Sequence, residues 1–580
     1  MITTVSAPGK VLVAGGYLVL DPRYFGLVLA TNARFYTCVS QRNESSIPTV
    51  SVRSAQFLDA EWVYQVHLPT TDDTWQCVQG MWIAANEATS RNPFVALSLL
   101  YALQLGIEKL GPEQLRQKLG AGLEITIVGD NDYYSHRVEG RAASIEELQA
   151  LPPFALQHCF LADVHKTGLG SSAAMTTSLI GALLVHLEIV DYDRNTHEFP
   201  LESLAWIHNT GQLAHCAAQG KVGSGFDVSS SVWGSQLYRR FDASLIQPVM
   251  RDESGIRIVY GAQEPLQHKQ APESLLPILD PMNVLWKAVP PDTQGIPSAV
   301  EGMLSLNTSL HTGTSTEIPR PAPLQLPPGV RLCLADVDAG SNTRTLVGQV
   351  RAFQQSKPEW ALQLFRVLGS ANQSFVDGLL GLHVMHARDP AKYMHTLTDL
   401  SGMPSKQWDE YRKQEPSLIV DMFLDVRDSI RSVRAGMREL GNRASAPVEP
   451  REMTDLLDST INEAPGILGG GVPGAGGYDA LYLLVLDSDL QKDLGMRPSA
   501  MRKVDEIWRE YSNLSVGPLL CEAEKQTAGI PSEQPTESTS QESTDGTDPA
   551  VLQVMRKLLN TRTGLRCVDP HTIPGLDRFL

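Results

Sequence analysis

The sequence predicts a fold of mixed α-helices and β-strands that is divided into more than one domain. Segments typical of strands alternate with segments of helical periodicity through the first 240 residues, a pattern that indicates helices and strands sharing one domain. The chain has 580 residues, which is more than one ordinary hydrophobic core accommodates. We therefore expect a first domain that ends near residue 240 and at least one further domain.

The first 240 residues account for most of this alternation. The stretch TVSAPGKVLVAGGYLVL, residues 4–20, contains two apolar runs that Pro8-Gly9 and Gly15-Gly16 divide, so it predicts strands broken by turns. Further strands are predicted at residues 27–39, 47–57, 123–128 and 160–164. Helices are predicted at residues 92–109 and 201–218, and the apolar run that follows Ser172 also has helical length.

The rest of the chain alternates between regular and irregular stretches. Residues 288–329 are rich in Pro, Ser, Thr and Gly and predict a long surface insertion. Beyond them the patterns predict a strand running into a turn at 331–340, amphipathic helices at 345–380 and 417–441, and a glycine-rich turn before an apolar run at 466–486. Residues 525–550 contain almost nothing that could be buried, so we expect disorder and no catalytic role there. Because an amphipathic helix resumes at residue 551, this disordered stretch is an insertion within a domain.

Composition and charge favour a soluble, cytoplasmic protein. Hydrophobic residues make up 42% and charged residues 19% of the chain, and the seven scattered cysteines form neither a CxxC pair nor a zinc-like cluster. The first residues lack the pattern of a secretory signal, no uninterrupted apolar run reaches transmembrane length, and the last residues match no recognised anchor. The net charge of −17 argues against nucleic acid or an anionic membrane as a main partner, and no obligate protein partner is evident.

The stretch GLGSSAA, residues 168–174, has the composition of a phosphate site. Backbone N–H groups hold phosphate best where glycine allows close approach and where a helix begins. Ser171 and Ser172 add hydroxyls that could bind a phosphate oxygen or Mg²⁺, and Lys166 could reach the same anion. The pattern is neither a GxxxxGK[ST] loop nor part of a protein kinase, because the HRD and DFG motifs are missing. The alternative is an ordinary loop before a core helix.

Two more glycine-bearing segments stand near the two ends of the chain. In SAPGKVLVAGGYLVL, residues 6–20, Lys10 is expected at a strand edge close to a sharp turn, and a solvated lysine is the alternative. In GVPGAGGYDA, residues 471–480, the glycines indicate positive φ angles or close backbone packing. A hairpin-like connector is the alternative there.

These three segments, taken in order, resemble the three motifs of the GHMP kinase superfamily. PGKVLVAGGYLVLD, residues 8–21, is similar to the version found in the eukaryotic phosphomevalonate kinases of that superfamily. Four more stretches resemble the same kinases: IVGDNDYYSHR (127–137), KTGLGSSAA (166–174), QGKVGSGFDVSSSVWG (219–234) and GSNTRTLVGQV (340–350). The resemblance spans nearly the whole chain apart from the two insertions.

The resemblance implies an α+β fold in two lobes with the active site between them. The N-terminal lobe, residues 1–240, would be similar to the ribosomal S5 domain 2-like fold, and a connecting region with the irregular insertion would occupy residues 241–330. The C-terminal lobe, residues 331–580, would be a ferredoxin-like sandwich that the insertion at 525–550 interrupts.

The resemblance also implies the reaction. The γ-phosphoryl group of ATP would pass to 5-phosphomevalonate, giving 5-diphosphomevalonate and ADP in the mevalonate pathway to isoprenoids and sterols, with Mg²⁺ as the metal. The nearest alternative is mevalonate kinase or another small-molecule GHMP kinase. An alternative of another class is a catalytically inactive nucleotide-binding sensor module.

Two residues receive catalytic roles from the resemblance. Lys10 would lie at the transferred phosphoryl group and offset its developing charge. Asp227 matches the acidic residue that the superfamily places beside the acceptor, although an Asx-type turn would also explain it. The acceptor here is a phosphate monoester whose second pKa is about 6, so Asp227 has little proton to remove. We expect it to orient Lys10 or Mg²⁺, with general base catalysis secondary.

The binding residues follow from the same resemblance. Predicted nucleotide contacts are Lys166, Gly168, Leu169, Gly170, Ser171, Ser172, Ala173 and Asn92, and Ser171 or Ser172 would touch Mg²⁺. Predicted substrate contacts are Ser135, Arg137, Arg141, Ser224, Ser341, Arg344, Gly476 and Gly477. Arginine is favoured for the substrate because its guanidinium grips phosphate or carboxylate with two hydrogen bonds, although each arginine alone could be a solvated surface residue. His165 and Lys221 are further candidate cations.

Two more expectations concern the adenine pocket and the metal. Trp75, Trp82 and the NPF stretch at 92–94 lie where the superfamily places nucleotide contacts, and core packing explains the tryptophans equally well. Some superfamily members bind Mg²⁺ through a glutamate ahead of the catalytic aspartate, yet residues 208–220 contain no acid. Serine, ATP oxygens and water would have to suffice.

Overall fold

The computed structural model describes most of the chain. The described residues are 2–43, 47–86, 91–251, 258–260, 273–286, 318, 320–337, 343–489, 500–525, 548–559, 561 and 563–580, with backbone alone at 258–260, 343–344 and 559. The strands in chain order are β1 Thr3–Ala14, β2 Gly26–Gln41, β3 Thr49–Arg53, β4 Glu61–His67, β5 Trp82–Ala85, β6 Gly122–Gly129, β7 Arg137–Val138, β8 Arg141–Ala142, β9 Gln236–Tyr238, β10 Ile258–Tyr260, β11 Ala322–Pro323, β12 Val330–Val337, β13 Ile467–Gly471, β14 Ala480–Leu486, β15 Val516–Pro518 and β16 Arg566–Cys567.

The helices occupy both halves of the chain. In chain order they are α1 Thr74–Gly80, α2 Pro93–Leu110, α3 Pro112–Leu119, α4 Ile145–Gln149, α5 Ser171–His186, α6 Leu201–Gln219, α7 Phe226–Trp233, α8 Leu276–Leu279, α9 Thr343–Ser356, α10 Pro358–Arg388, α11 Pro390–Ser401, α12 Trp408–Gln414, α13 Leu418–Ala444, α14 Arg451–Glu463, α15 Met501–Glu510 and α16 Pro549–Leu559. A short 3-10 helix, Gly16–Leu20, follows β1 directly. The protein is thus α+β, as the sequence predicts.

The larger sheet forms the first lobe. Its main path runs β10-β5-β4-β3-β6-β2-β1-β16, and β9 pairs with both β2 and β11. Helix α5 packs across β1 and β2 and also contacts α2 and α6. The close fit comes from small side chains on α5, because a Cβ added at Gly181 would lie 3.0 Å from Val5 of β1. The start of α5 is thereby fixed at the C-terminal half of β1.

The smaller sheet forms the second lobe, in the antiparallel order β13-β14-β12-β15. Strand β14, ALYLLVL, is buried along its whole length. Its alternate residues face two different layers. Leu481 and Leu483 pack in the cluster with α14 and α15, whereas Leu484 and Leu486 pack with residues of α10 and α13. A strand buried on both faces reads as a continuous apolar run for this reason.

The end of the chain returns to the first lobe. The N–H of Glu524 donates to the carbonyl of Ala30 at 2.7 Å, and β16 pairs with β1. The buried carboxylate of Glu524 forms ion pairs with Arg34 at 2.6 Å and Arg566 at 2.8 Å. These contacts join residues from both ends of the sequence in one structure. The proposed lobe boundaries at residues 240 and 330 stay a prediction.

The first predicted turn is wrong. Pro8-Gly9 does not end a strand, because β1 continues through it and pairs with β2 on both sides, with a register shift between Pro8 and Lys10. Gly9 serves close packing instead: an added Cβ would lie 2.8 Å from the Thr31 hydroxyl and 3.0 Å from the Tyr133 hydroxyl. The residues after Gly15-Gly16 form the 3-10 helix rather than a second strand.

Three further predictions need correction or fall outside the described residues. The predicted strand at 160–164 is absent there, since a turn from Asp163 N–H to Phe160 oxygen (3.0 Å) bends the backbone and Phe160 is exposed. The surface insertion at 288–329 ends earlier than predicted, because Ala322–Pro323 is buried as β11. Most of that insertion, and residues 526–547 of the predicted disordered segment, lie outside the described residues.

The other predicted elements are confirmed, with small shifts at their ends. They include β6, α2, α6, β12, α13 and α16, whereas the pattern at 345–380 forms two helices, α9 and α10, because Pro358 begins a new helix after Lys357. Helix α2 is long and apolar enough to cross a membrane by length and composition alone, but 72% of it is buried inside the fold. It therefore packs as a core helix of the first lobe.

Candidate active site

A cavity of about 520 Å³ lies between the two lobes. The first lobe lines it with Lys10, the loop at 167–170 and the segment 221–227. The second lobe adds Arg351 of α9 and the loop at 472–476 that connects β13 to β14. All three glycine-bearing segments of the sequence therefore meet at one cavity.

The loop before α5 presents a helix start to this cavity. Helix α5 begins at Ser171, as predicted, and Gly170 precedes it in the left-handed conformation with φ of +79°. An L-residue rarely adopts this conformation, and a Cβ at Gly170 would also lie 2.8 Å from the Lys10 side chain. Glycine at this position thus provides the turn and admits the lysine.

Lys10 is held against the same loop by two hydrogen bonds. Its backbone N–H donates to the Leu169 carbonyl at 2.9 Å, and its ammonium group donates to the Gly168 carbonyl at 3.1 Å. Burial lowers the pKa of Lys10, and the negative charges of Asp227 and Asp479 act in the opposite direction. The cavity therefore holds a lysine whose side chain the loop fixes and on which the charges of two carboxylates act.

Asp227 lies in the first turn of α7 and also lines the cavity. Gly225 precedes this helix with φ of +85°, and the hydroxyl of Ser231 on α7 donates to the Pro8 carbonyl of β1 at 3.1 Å. That bond ties α7 to β1 at Pro8, two residues before Lys10 in the sequence. The carboxylate of Asp227 lies 3.8 Å from the imidazole Nδ1 of His215.

His215 is a site residue that the sequence reading missed. It is 2% exposed, lines the cavity from α6, and its Nε2 lies 3.1 Å from the hydroxyl oxygen of Ser172. Burial lowers the pKa of His215; the carboxylate of Asp227 opposes this shift and the charge of Lys10 adds to it. A buried imidazole thus stands where the sequence had suggested that an acid was missing.

Side chains from outside the 221–225 segment hold its backbone through hydrogen bonds. The guanidinium of Arg240 donates to the carbonyls of Leu20, Val222 and Gly223 at 3.0, 3.2 and 2.6 Å. The hydroxyl of Tyr238 donates to the Ser224 carbonyl at 2.5 Å. Ser224, a predicted substrate contact, lines the cavity as a result.

The glycine-rich loop of the second lobe is tied to the first lobe. The hydroxyl of Tyr17 donates to the Ala475 carbonyl at 2.7 Å, and the Gly474 N–H donates to the Leu12 carbonyl at 3.3 Å. Gly476 lines the cavity, and the N–H of Gly477 is bonded to the Val448 carbonyl at 2.9 Å. The loop connects two antiparallel strands, so the hairpin-like alternative describes its topology correctly.

A second cavity of about 200 Å³ shares Leu519 with the first. Ser135 and Arg137, both predicted substrate contacts, line it together with Asp336. Burial raises the pKa of Asp336, while a hydrogen bond from Ser135 and the charges of Arg137 and His165 act to lower it. Two predicted contacts therefore lie together in a pocket beside the main cavity.

Several predicted site residues have other contacts in this structure. The guanidinium of Arg141 forms two hydrogen bonds to Glu147, at 2.8 and 2.7 Å, on the exposed β7–β8 hairpin. Asn92 caps helix α2 by accepting from the Val95 N–H at 3.3 Å. Trp82 stacks on His67, with ring centroids 3.7 Å apart. Of the residues proposed for the adenine pocket, Phe94 lines the cavity, whereas Trp75 and Trp82 are not among its described lining residues.

Some of the remaining predicted site residues lie at the cavity and others do not. Leu169 lines the cavity, and Ser171, Ser172 and Ala173 are not among its described lining residues. Lys166 forms an isolated bridge with Tyr134. Ser341 and the side chain of Arg344 lie outside the described residues.

Sequence reasoning also missed Asp479, Arg351 and Arg240. Asp479 stands in the GGYDA stretch that carried the third motif, so an acid at a glycine-rich loop was its available signal. Arg351 lies one residue beyond the GSNTRTLVGQV motif and faces the cavity. Arg240 carried no local signal, because its role depends on three carbonyls that lie far from it in the sequence.

Comparison with known proteins identifies relatives over most of the chain, although no family model matches it. Over 515 residues the chain is 36% identical to the peroxisomal phosphomevalonate kinase of Arabidopsis thaliana, covering 84% of this chain and 90% of that protein. Over 523 residues it is 32% identical to a phosphomevalonate kinase of Aspergillus fumigatus, covering 84% and 88%.

The solved structures that align with most of this chain have much lower sequence identities to it. The Streptococcus pneumoniae phosphomevalonate kinase in complex with phosphomevalonate and AMPPNP has a TM-score of 0.47 at 12% identity, covering 89% of this chain and 98% of that one. The Methanococcus jannaschii mevalonate kinase has a TM-score of 0.41 at 11% identity, covering 90% and 98%. Likeness this remote carries no information on what the present chain binds.

Proposed function

Because this chain belongs to the phosphomevalonate kinase family, we propose that it transfers the γ-phosphoryl group of ATP to the phosphate of 5-phosphomevalonate. The products are 5-diphosphomevalonate and ADP, and the reaction belongs to the mevalonate pathway to isoprenoids and sterols. One observation carries the proposal: Lys10, Asp227 and the start of α5 converge on one cavity between the lobes.

The nucleotide phosphates bind at the start of α5 in this proposal. The first N–H groups of a helix lack intrahelical acceptors, and the helix dipole favours negative charge beside them. Gly168 and Gly170 line the cavity and add no side chain of their own to the approach to these amides. The net charge of the chain is −17, so the cations that line the cavity, Lys10, Lys221 and Arg351, are needed to attract ATP.

Lys10 neutralises the charge that develops on the transferred phosphoryl group. Phosphoryl transfer depends mainly on positioning and electrostatic stabilisation, so a cation that is already fixed is effective. The two hydrogen bonds from Lys10 to Gly168 and Leu169 support this role because they hold it beside the helix start.

Asp227 orients the site rather than removing a proton. The acceptor is a phosphate whose second pKa is about 6, so it is mostly deprotonated at neutral pH. The carboxylate charge of Asp227 acts on both Lys10 and His215. It therefore sets the position and charge state of the groups around it.

Magnesium is the proposed metal of this site. Among the described residues, no group of three or more His, Cys, Asp or Glu side chains could hold a metal ion. Mg²⁺ commonly binds through one or two protein ligands together with waters and substrate phosphates, and Ser171, Ser172 and Asp227 suit that mode. When bound, the ion neutralises phosphate charge.

The phosphomevalonate molecule extends toward the smaller cavity in this proposal. Arg137 can grip a carboxylate or phosphate through paired hydrogen bonds, and Ser135 adds a hydroxyl in the same pocket. Leu519 belongs to both cavities, so one molecule could reach from Lys10 to Arg137. Gly476 of the second lobe contributes to the wall on the phosphate side.

We place the enzyme in the cytoplasm. All seven cysteines are free, and six of them are buried, which suits a reducing compartment. The Arabidopsis thaliana relative is named as peroxisomal, so the peroxisome is the alternative. Imaging of a tagged full-length chain beside compartment markers distinguishes the two.

A paired assay tests the proposed reaction. The purified chain is incubated with Mg-ATP and either 5-phosphomevalonate or mevalonate, and the phosphorus products are resolved by ³¹P NMR. We expect a diphosphate product with 5-phosphomevalonate and no phosphorylated product with mevalonate. Turnover of mevalonate alone would identify a mevalonate kinase, and AMPPNP binding without any turnover would identify an inactive nucleotide-binding module.

A further inference from the structure

His215 forms a contact that distinguishes the two adjacent serines of the phosphate loop. We propose that His215 is a positioning residue that takes the hydroxyl proton of Ser172 as a hydrogen-bond acceptor, so that the Ser172 oxygen presents its lone pairs to a divalent cation. The inference rests on the proposed function of the cavity and assigns the cation to Ser172 rather than Ser171.

Four elements fix the His215 ring. It projects from α6 and its Nε2 lies 3.1 Å from the Ser172 hydroxyl at the start of α5. On the other side, its Nδ1 lies 3.8 Å from the Asp227 carboxylate of α7. The ring of Phe94 on α2 packs against it with a centroid separation of 5.5 Å. A ring enclosed on these sides cannot rotate freely to change its partners.

Two contacts determine which nitrogen carries the proton. The side-chain amide nitrogen of Gln219 lies 3.4 Å from the same Nε2, and an amide NH₂ group can only donate. The Asp227 carboxylate, facing Nδ1, can only accept. The amide contact requires a lone pair on Nε2, so the hydrogen of the neutral ring is on Nδ1; the carboxylate at 3.8 Å is too far for a hydrogen bond but lies on the side that suits an N–H. The Ser172 hydroxyl, the nearer partner of Nε2 at 3.1 Å, is then the donor of that contact and shares the single lone pair with the more distant amide.

The direction of the hydrogen bond from Ser172 to His215 determines what Ser172 can bind. A hydroxyl has one proton and two acceptor lone pairs, and His215 uses the proton. Ser172 therefore cannot donate to a phosphate oxygen, but its oxygen suits a hard cation such as Mg²⁺. Within the part of the chain that the structure describes, the Ser171 side chain makes no hydrogen bond, so its hydroxyl is available to donate to phosphate.

The arrangement also accounts for the missing acid on α6. Residues 208–220 contain no Asp or Glu, so this helix offers the cation no carboxylate. His215 lines the cavity from that helix together with Cys216 and Gln219, and acts on the cation indirectly, through the oxygen of Ser172. Groups that orient metal ligands in this way commonly change metal affinity by about 10–100-fold when they are replaced.

The test measures cation binding without turnover, using the full chain, Mn²⁺ as the probe and AMPPNP kept below the protein concentration, so that no free nucleotide competes for the cation. Free Mn²⁺ is followed by EPR for wild type, His215→Leu, His215→Gln and Ser172→Ala. We expect His215→Leu and Ser172→Ala to weaken Mn²⁺ binding about tenfold or more. His215→Gln should stay within about threefold of wild type, since its amide oxygen can accept the same proton.

A matched control removes a similar contact at the far end of the same helix. His186, in the last turn of α5, lies 3.0 Å from the Thr3 hydroxyl through its Nδ1. His186→Leu therefore loses a hydroxyl–imidazole contact but should keep wild-type Mn²⁺ affinity. The combined Ser172→Ala and His215→Leu variant should bind Mn²⁺ no more weakly than Ser172→Ala alone, because His215 acts only through the Ser172 oxygen that this substitution removes.

Three outcomes would overturn the inference. They are wild-type Mn²⁺ affinity in His215→Leu, a loss in His215→Gln as large as that in His215→Leu, or additive effects in the double variant. The tautomer is measured separately on the wild-type chain by ¹⁵N NMR of labelled histidine, and a proton on Nε2 would also contradict it. Neither readout involves the phosphoryl acceptor, so a failure of the proposed reaction with 5-phosphomevalonate would be recognised independently.

Discussion

The ammonium nitrogen of Lys10 donates a hydrogen bond to the carbonyl oxygen of Gly168 at 3.1 Å. This bond joins strand β1 to the loop that opens helix α5, although 158 residues separate the two in the sequence. The lysine side chain is consequently ordered before any anion arrives, and binding does not have to restrict it further. The same bond places the positive charge beside the exposed amides of the helix.

Replacing Lys10 should therefore remove transition-state stabilisation more than binding. We expect Lys10→Met to lower kcat by about 10²- to 10³-fold, the usual effect of losing one group that stabilises developing charge, with a smaller change in the KM for ATP. Lys118→Met, which alters an exposed lysine paired with Glu188, serves as the control. A Lys10→Met enzyme with wild-type kcat would contradict the assigned role.

Gly170 should tolerate no side chain. Gly170→Ala combines an unfavourable positive φ, which costs about 1–2 kcal/mol, with a Cβ 2.8 Å from the Lys10 side chain. We expect a lower midpoint of urea unfolding together with loss of AMPPNP binding. Gly220→Ala is the matched variant, because Gly220 also has a positive φ, +68°, but nothing lies within 4 Å of the added Cβ. It should lose stability alone, and equal losses of AMPPNP binding would argue against the clash with Lys10.

The decline of activity at low pH should arise from protonation of the substrate phosphate and not from protonation of Asp227. Since Asp227 has little proton to remove from a phosphate, Asp227→Asn should lower kcat/KM while keeping the decline near pH 6, where 5-phosphomevalonate becomes protonated. Initial rates between pH 5 and 8 measure this for both enzymes. Disappearance of this decline in Asp227→Asn would instead identify the carboxylate as a general base.

Two arginines of the same sequence stretch should behave differently. Arg137 lines the smaller cavity, so Arg137→Gln should raise the KM for 5-phosphomevalonate about 10-fold or more, as expected for a lost charged hydrogen bond. Arg141 is paired with Glu147 at the surface, and Arg141→Gln should leave that KM nearly unchanged. Steady-state kinetics of the two variants decide the matter, and a large effect at Arg141 alone would exclude the smaller cavity as the substrate pocket.

Asp130 should make stability depend on pH in the direction opposite to most carboxylates. Burial raises its pKa to about 7, the charge of Asp132 adding to the shift while the N–H of Arg34 and its charge oppose it. Its protonated form is thus favoured in the folded state, so its contribution to stability is present below about pH 4 and is lost as pH rises to about 7.

Asp130→Asn measures this contribution. An amide oxygen can still accept from the Arg34 N–H, which lies 2.6 Å from the carboxylate, but it does not titrate. The variant should therefore gain thermal stability relative to wild type at pH 7.5 and not at pH 4. An equal difference in Tm at both pH values would show that Asp130 is not titrating in this range.

Local patterns predicted much of the fold correctly. The apolar run after Ser172 became α5, and the Asn92–Lys109 pattern became α2, because an apolar segment of this length forms a core helix that is buried on all sides. The prediction of a turn at Pro8-Gly9 failed for a non-local reason. β2 pairs with β1 on both sides of this dipeptide and compensates with a register shift, which residues 4–20 alone cannot reveal.

The site itself was predictable only in part. The glycines at 168 and 170, Lys10 and Asp227 carry local signals of turns, charge and helix starts, and each lies at the cavity. Arg141 has the same local features as Arg137, yet the β7–β8 hairpin directs it to Glu147. Sequence pattern could not separate these two arginines, because their difference arises from the direction each side chain takes in the hairpin.

The sequence by itself determined the family, the helix start at Ser171 and the residue types available for phosphate chemistry, since these depend on neighbours within one turn or one strand. Only the tertiary structure decided that His215 stands between Ser172 and Asp227 and that Asp479 acts on Lys10. Those relationships arise from packing between α5, α6 and α7 and between two lobes. Contacts between residues so far apart in the sequence form only when the whole chain folds and buries its core. No short stretch of the sequence can therefore predict them.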